Sequence, residues 1–196
     1  KIPLNELRFD FLSEDRIFIL LIFDNDLNKF FREDALYYQQ ERLASTRLAY
    51  YQDTLVGYFT LVNDSIFADA ITSGDGDERF EARRYPAIKI AKLATHDGYT
   101  GRGVGTNMVA KAISIVLKLS KYTGCRIITV DSKPGKESFY GQFGFKRAHA
   151  KAQDTTPMYF DYHKYLQVAG GRNSRYPILT NGLTSEVISE DGRASE

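Results

Sequence analysis

Tyr99-Thr100-Gly101-Arg102-Gly103-Val104-Gly105-Thr106 lies between an apolar, alternating stretch (87–95) and a long helical pattern (104–121). A strand feeding a glycine-rich turn and then a helix N-terminus makes a cradle for an anion. Glycines let the backbone approach a phosphate closely. The first helical N–H groups have no partner inside the helix, and the helix dipole is positive there. A phosphate-bearing cofactor is therefore expected to bind near the middle of the chain. Two better-known phosphate loops are excluded. No Gly-Lys pair precedes a hydroxyl residue, as a Walker loop requires. The glycines are spaced Gly-x-Gly-x-Gly rather than the Gly-x-Gly-x-x-Gly of a dinucleotide fingerprint.

Outward from the loop, the pattern over 104–121 is the clearest helix in the chain. Asn107, Lys111, Ser114, Lys118 and Lys121 form one narrow polar stripe, and nearly everything else is apolar or small. Such a helix is buried on most sides, as when it lies on a sheet. Gly124 is expected to close it in the left-handed conformation. The run 127–130 reads as the next strand, giving a strand-helix-strand unit. After a turn at 132–135, residues 136–142 read as a short helix carrying Phe139 and Tyr140. Two last strands are expected at 145–148 and 157–162, joined by the polar stretch 150–156. Upstream, residues 5–44 read as helical. Asp26 is the expected cap, and Leu27, Phe30, Phe31, Ala35 and Tyr38 follow an amphipathic spacing. Strands at 47–51 and 55–62 flank the polar turn Gln52-Asp53-Thr54, and Gly57 marks a bulge or a close approach. Residues 72–84, with Asp75, Asp77 and Glu78, lack the ligand spacing of a calcium loop and read as a mobile surface loop.

Composition sets the class. A chain of 196 residues, 43% hydrophobic and 26% charged, is long enough for one soluble domain with a proper core. A net charge of +1 does not announce a nucleic-acid binder. Cys125 is the single cysteine, so no disulfide forms within the chain, which fits a reducing cytoplasm. It reads as a small hydrophobe at the start of a strand. The longest apolar run, 17–23, spans seven residues, against the roughly 20 of a membrane-spanning helix. No export-signal pattern precedes it, and the expected location is cytoplasmic, with no membrane partner. The chain starts at Lys1 without a methionine, so a longer natural N-terminus is expected.

Two motifs then point to a family. Leu93-Ala94-Thr95 followed by Thr100-Gly101-Arg102-Gly103-Val104-Gly105 resembles motif A of the GNAT superfamily of N-acetyltransferases, Gln/Arg-x-x-Gly-x-Gly/Ala after a strand end. Phe139-Tyr140-Gly141-Gln142-Phe143-Gly144-Phe145 resembles its motif B, Phe-Tyr-x-x-x-Gly-Phe. The order and spacing of the two match the family. The resemblance covers roughly residues 45–165. It implies an α/β (α+β) fold: a mixed, mostly antiparallel sheet of six or seven strands, splayed at its centre, with helices on both faces. The GNAT-like domain is expected over 1–166, with 167–196 as a tail or a packing arm.

The resemblance also implies roles. Acetyl-CoA is the implied co-substrate, without a metal. The N–H groups of Arg102, Gly103, Val104, Gly105 and Thr106 are expected to hold its pyrophosphate, with Gly101 in the turn. The pantetheine arm would pair with the strand ending at Leu93 and Thr95. An N–H near Leu93 or Ala94 would polarise the thioester carbonyl. Tyr140 would protonate the departing thiolate. Thr100 departs from the usual Gln or Arg that braces the loop. Lys133 stands where many members carry Asn, and either contacts phosphate or is solvated. The general base is not visible: His96, Asp97, Glu41 and Asp34 are the candidates. His149 and His163 lack metal-ligand spacing.

The implied activity is acetyl transfer to a primary amine by direct attack in a ternary complex. The stretch 23–36 loosely resembles a GNAT branch that includes toxins of toxin–antitoxin pairs, which acetylate aminoacyl-tRNA. For this branch an antitoxin partner is expected, and a homodimer is also expected. Lys89, Lys92, Arg79, Arg83 and Arg84 are the cations for such an RNA, offset by Asp75, Asp77, Glu78 and Glu81. Small-molecule and peptide amines stay open as acceptors, as does a non-catalytic CoA-binding module.

Overall fold

The computed structural model describes residues 1–16, 24–150 and 154–164. Its strands are β1 (Leu7–Phe11), β2 (Ser45–Tyr51), β3 (Thr54–Phe67), β4 (Arg84–Thr95), β5 (Ile127–Ser132), β6 (Lys146–Arg147) and β7 (Thr156–Asp161). They form one seven-stranded open sheet in the order β1-β2-β3-β4-β5-β7-β6. It is mostly antiparallel, including β1–β2, β2–β3, β5–β7 and β6–β7. The helices are α1 (Asn25–Lys29), a π-helical turn (Phe30–Asp34), α2 (Ala35–Gln40), α3 (Val104–Leu119) and α4 (Glu137–Gly141). The chain divides into two compact units, Lys1–Asn63 with Ile90–Ala112, and Asp64–Lys89 with Ile113–Glu196.

In the first unit the helical segment 25–40 covers one sheet face. Asp24 caps α1, its Oδ1 accepting from Leu27 N at 3.1 Å. The π turn is wide enough to aim two consecutive rings, Phe30 and Phe31, inward. Phe31 stacks on Tyr58 of β3 at 4.7 Å, and Leu48, Tyr50 and Ala94 complete this core. The Tyr58 hydroxyl donates to Leu27 O at 2.7 Å, so burying the ring strands no polar atom. Gln39 stitches the end of α2 to the sheet: its Oε1 accepts from Thr46 N at 2.9 Å and its Nε2 donates to Leu12 O. Thr46 and Thr60 face each other across β2 and β3, fully buried, with hydroxyls 2.8 Å apart.

Neighbouring residues of a strand point to opposite faces, so Gly57, beside Tyr58, faces the other side, where α3 lies. A Cβ at Gly57 would sit 2.6 Å from Ala94 O and 3.0 Å from Met108 Cε. Position 57 is the expected close approach. The register shift between Ala49 and Tyr50 supplies a bulge next to it, leaving Val56 as the extra residue. Gln52 and Asp53 both take positive φ, 46° and 62°, as the tight β2–β3 turn requires.

The second unit packs Ile66, Ala70, Ile71, Tyr85, Ala87, Ile127 and Tyr159 together. The polar segment between β3 and β4 is tied down rather than loose. The buried Asp75 carboxylate accepts from Lys146 Nζ at 2.7 Å, Tyr159 Oη at 2.8 Å and Lys164 Nζ at 3.3 Å. Asp161 accepts from Gly76 N at 2.8 Å and from the Arg126 guanidinium at 3.2 Å. The Tyr85 hydroxyl bonds to both the N–H and the C=O of Asp77.

Four sequence expectations are corrected. Residues 5–44 are not all helical: Leu-Arg-Phe-Asp-Phe at 7–11 alternates with period two and forms β1. The α1 cap is Asp24, two residues before Asp26. The segment 72–84 is pinned by its carboxylates. Gly124 does not adopt positive φ. The last α3 carbonyls are met instead by short backward bonds, Lys121 N to Lys118 O at 3.2 Å and Tyr122 N to Leu119 O at 2.9 Å, and by the Ser120 hydroxyl on Leu117 O at 2.8 Å. No left-handed residue is then needed. The expected α3, β2, β3, β4, β5, α4 and β7 are present, with β3 and β4 longer and β6 shorter than anticipated. Ser114 of the α3 polar stripe is buried. The expected extension 167–196 and residues 151–153 of the stretch 150–156 lie outside the described residues.

Gly57→Ala should cost about 2–3 kcal/mol in urea unfolding, because the added methyl meets a backbone oxygen that cannot rotate away. A loss below about 0.5 kcal/mol would mean that the close approach is absent. Asp75 gives a pH test. Burial raises its carboxyl, but the donors from Lys146, Tyr159 and Lys164 more than offset this and hold it below the ordinary value. Its stabilisation is then complete above the unfolded pKa of about 4 and is lost as pH falls through the lower folded value. Asp75→Asn should cost about 1–3 kcal/mol at pH 7 and flatten the acid limb of stability below about pH 4. An unchanged acid limb would show that Asp75 does not govern it.

Candidate active site

The phosphate loop belongs to the first unit. β4 ends at Thr95, and the His96 N–H donates to the bulged Val56 O at 2.8 Å. His96 then caps the short turn 97–99, its Nδ1 accepting from Gly98 N at 3.1 Å. That bond occupies the lone pair a general base would use at Nδ1. Arg102 N donates to Tyr99 O at 3.2 Å, and the Arg102 guanidinium lies 4.9 Å from the Tyr99 ring centroid. The N–H of Arg102 is therefore engaged within the turn.

Gly101 and Gly103 have φ of 76° and 90°. A Cβ on Gly101 would meet nothing within 4 Å, so the backbone conformation alone requires glycine there. Gly105, inside α3, has no positive φ. The first helical bond runs from Asn107 N to Gly103 O at 3.0 Å. The N–H groups of Val104, Gly105 and Thr106 precede it and point out of the helix end. These three donors, with the helix dipole behind them, fit a pyrophosphate.

The same unit places Leu93, Ala94 and Thr95 at the end of β4. Ala94 is buried against the Phe30–Tyr58 core, while Leu93 and Thr95 are half-buried. Thr100 is exposed, and its N–H donates to Asp97 O at 3.2 Å. A contact not foreseen from the sequence braces the loop from outside. Ile2 N donates to Arg102 O at 2.8 Å, and Asn107 Nδ2 donates to Ile2 O at 2.9 Å. One signal was available: Asn is a poor helix former, and Asn107 stands in the first turns of an otherwise apolar helix.

Tyr140 belongs to the second unit. α4 buries it among aromatic rings, edge-on to Phe139 at 5.0 Å and Phe145 at 5.8 Å, with Phe145 resting on Phe160 of β7 at 5.5 Å. Gly144 has φ 95°, which lets the chain reverse from α4 into β6 and brings Phe145 back onto Tyr140. Burial pushes the Tyr140 phenol up to about 12. It therefore keeps its proton at every physiological pH, as a general acid must. Lys133 is exposed in the turn after β5, where its C=O accepts from Lys136 N at 3.0 Å. Asp34 is half-buried between the π turn and α2, and Glu41 is exposed beyond α2. Among the described residues no group of three His, Cys, Asp or Glu side chains is placed to hold a metal ion, and no helix is long and apolar enough to cross a membrane.

No curated protein matches the chain. The fold is similar to AtaT complexed with acetyl-methionyl-tRNAfMet, at 18% identity and a TM-score of 0.74 over 83% of this chain and 99% of that one. It is similar to a tyrosine-to-phenylalanine mutant of KacT, at 19% identity and 0.73 over 83% and 99%. It is also similar to AtaTR bound with acetyl-CoA, at 18% identity and 0.65 over 84% and 99%. The model of the GNAT acetyltransferase domain matches residues 44–147, more than half of the chain and both motifs. The chain thus belongs to the GNAT acetyltransferase family and is an acetyl-CoA-dependent acyltransferase.

Proposed function

We propose that this acetyltransferase acts on the α-amino group of an aminoacyl-tRNA, by direct attack in a ternary complex. The observation that carries the transfer itself is the pair of left-handed glycines at the α3 N-terminus, in a chain that also buries a fully protonated Tyr140. Bound acetyl-CoA supplies the acetyl thioester. Val104, Gly105 and Thr106 hold its pyrophosphate. A main-chain N–H near Leu93 or Ala94 polarises the thioester carbonyl. As the amine nitrogen bonds to the acetyl carbon and the C–S bond breaks, Tyr140 delivers its proton to sulfur, and the proton shed by the amine passes through solvent to restore the phenol. With the phenol near 12 and a thiol near 8.5, a free proton transfer would be uphill, so the step must be concerted with bond cleavage.

Two features favour the aminoacyl acceptor. An α-amine titrates near 8 and a lysine ε-amine near 10.4, so only the former is substantially neutral at physiological pH. An acceptor that arrives neutral needs no strong base, which suits a site where His96 is already used as a cap. Second, Lys92, half-buried on the sheet face beneath the helical segment 25–40, lies 5.2 Å from the Phe30 ring centroid and has no carboxylate partner among the described residues. It is available to a phosphate. The likeness to AtaT, whose complex contains acetyl-methionyl-tRNAfMet, runs over nearly all of that chain and supports the same reading. A cognate antitoxin is the corresponding partner.

Tyr140→Phe should lower kcat by about 100-fold or more while leaving the acetyl-CoA Kd within about twofold. Unchanged turnover would remove Tyr140 from the chemistry. The wild-type kcat should hold its plateau to about pH 11, since Tyr140 loses its proton only near 12. A fall near pH 10 that disappears in the phenylalanine variant would contradict the buried, protonated phenol. Acceptor identity is tested with methionyl-tRNA against methionine methyl ester, which shares the amine but lacks phosphates. Lys92→Met should raise KM several-fold for the tRNA and not for the ester. Equal effects on both would exclude a phosphate contact, and acetylation of peptide lysines in preference to either would overturn the acceptor.

A further inference from the structure

We propose that Asn107 and the main chain of Ile2 are the brace that orders the phosphate loop, replacing the side-chain brace that Thr100 cannot supply. This rests on acetyl-CoA binding at that loop and assigns a determinant of its affinity. Three hydrogen bonds connect the start of the chain, the turn and the helix. Ile2 N donates to Arg102 O at 2.8 Å, Asn107 Nδ2 donates to Ile2 O at 2.9 Å, and Asn107 N donates to Gly103 O at 3.0 Å. The Ile2 side chain is buried, so the segment is anchored as well as hydrogen-bonded. A Cβ at Gly103 would lie 3.6 Å from Lys1 Cβ and 3.7 Å from Ile2 O, which places the segment in contact with the turn.

The physical need for such a brace is entropic. Two glycines in the left-handed region make this turn one of the most freely rotating parts of the chain when nothing holds it. A loop that orders only on binding charges that ordering against affinity, whereas one already ordered does not. The clamp fixes the carbonyl of Arg102 and the side chain of Asn107 to the same residue. The N–H groups of Val104, Gly105 and Thr106 lie between those two fixed points and are held in one direction. Asn107 is a positioning residue and touches no reacting atom.

The test compares wild type, Asn107→Ala and Asn107→Leu, by titration calorimetry with acetyl-CoA and by kcat/KM with acetyl-pantetheine, which keeps the thioester arm and lacks the pyrophosphate. Asn107→Leu keeps the volume and improves helix propensity, so it guards against a folding defect. The acetyl-CoA Kd should rise about tenfold in both variants, with kcat at saturating acetyl-CoA falling less than about twofold. Acetyl-pantetheine should be used as well as by wild type. Equal losses for both thioesters would show general disruption and overturn the brace, as would an unchanged acetyl-CoA Kd beside a binding wild type. Failure of the wild type itself to bind acetyl-CoA would instead overturn the acetyl-CoA reading.

Discussion

Helix α3 lies where it does because position 57 carries no side chain. A single methyl there would meet the Ala94 carbonyl and the Met108 side chain at once. That contact joins the three parts that matter in the first unit: the bulged strand β3, the end of β4 and the helix whose N-terminus faces the phosphate loop. The bulge beside it leaves Val56 unpaired in the β2–β3 ladder, and its carbonyl receives the His96 N–H instead. The strand end, the capped turn and the loop are therefore set by one close approach. A glycine costs conformational entropy in a strand, and the position of the helix N-terminus is what offsets that cost.

The loop separates two uses of glycine. Gly101 and Gly103 are required by backbone angles, while Gly105 has ordinary helical geometry. Its value is the absence of a side chain among the donors. Of the five N–H groups that motif spacing suggests, Arg102 spends its own on Tyr99, and three of the other four, those of Val104, Gly105 and Thr106, open α3 ahead of its first helical bond. Arg102 contributes its ring contact to the turn, and the free donors at the α3 N-terminus are main-chain N–H groups.

Most of the fold was legible where one signal dominated. The α3 pattern, the flanking strands and the Phe-Tyr helix were readable because apolar spacing and glycine placement agree there. β1 was missed although Leu7, Phe9 and Phe11 alternate, because the longer helical periodicity downstream was carried back across it. Asp24 and Asp26 are indistinguishable as caps by residue type. Only the position of the π turn selects between them. The anchored segment 72–84 looked mobile because its carboxylates find partners on β6, β7 and the residues after it, contacts that no local pattern announces. Ile2 and Asn107 were missed for the same reason, since their bond joins the two ends of the first unit's sequence. The turn with its two left-handed glycines and the packed aromatic helix were legible because both are local.

Net charge misleads about electrostatics in this chain. Several cations that composition would offer to RNA are already engaged. Lys89 lies 2.9 Å from Asp131 and 3.7 Å from Asp64, and although burial lowers its basicity, the two carboxylates raise it further than burial lowers it. Arg84 donates to Ser65 and rests 3.9 Å from the Phe67 ring centroid, with Arg83 at 5.3 Å from the same ring. Lys92 differs from Lys89 in resting on an aromatic ring, Phe30, with no carboxylate partner among the described residues. Attraction for a polyanion would therefore rest on the local cations left in contact with it rather than on the net charge of +1. Discrimination would then fall to short-range features, such as Lys92 on the Phe30 ring and an amine that arrives neutral.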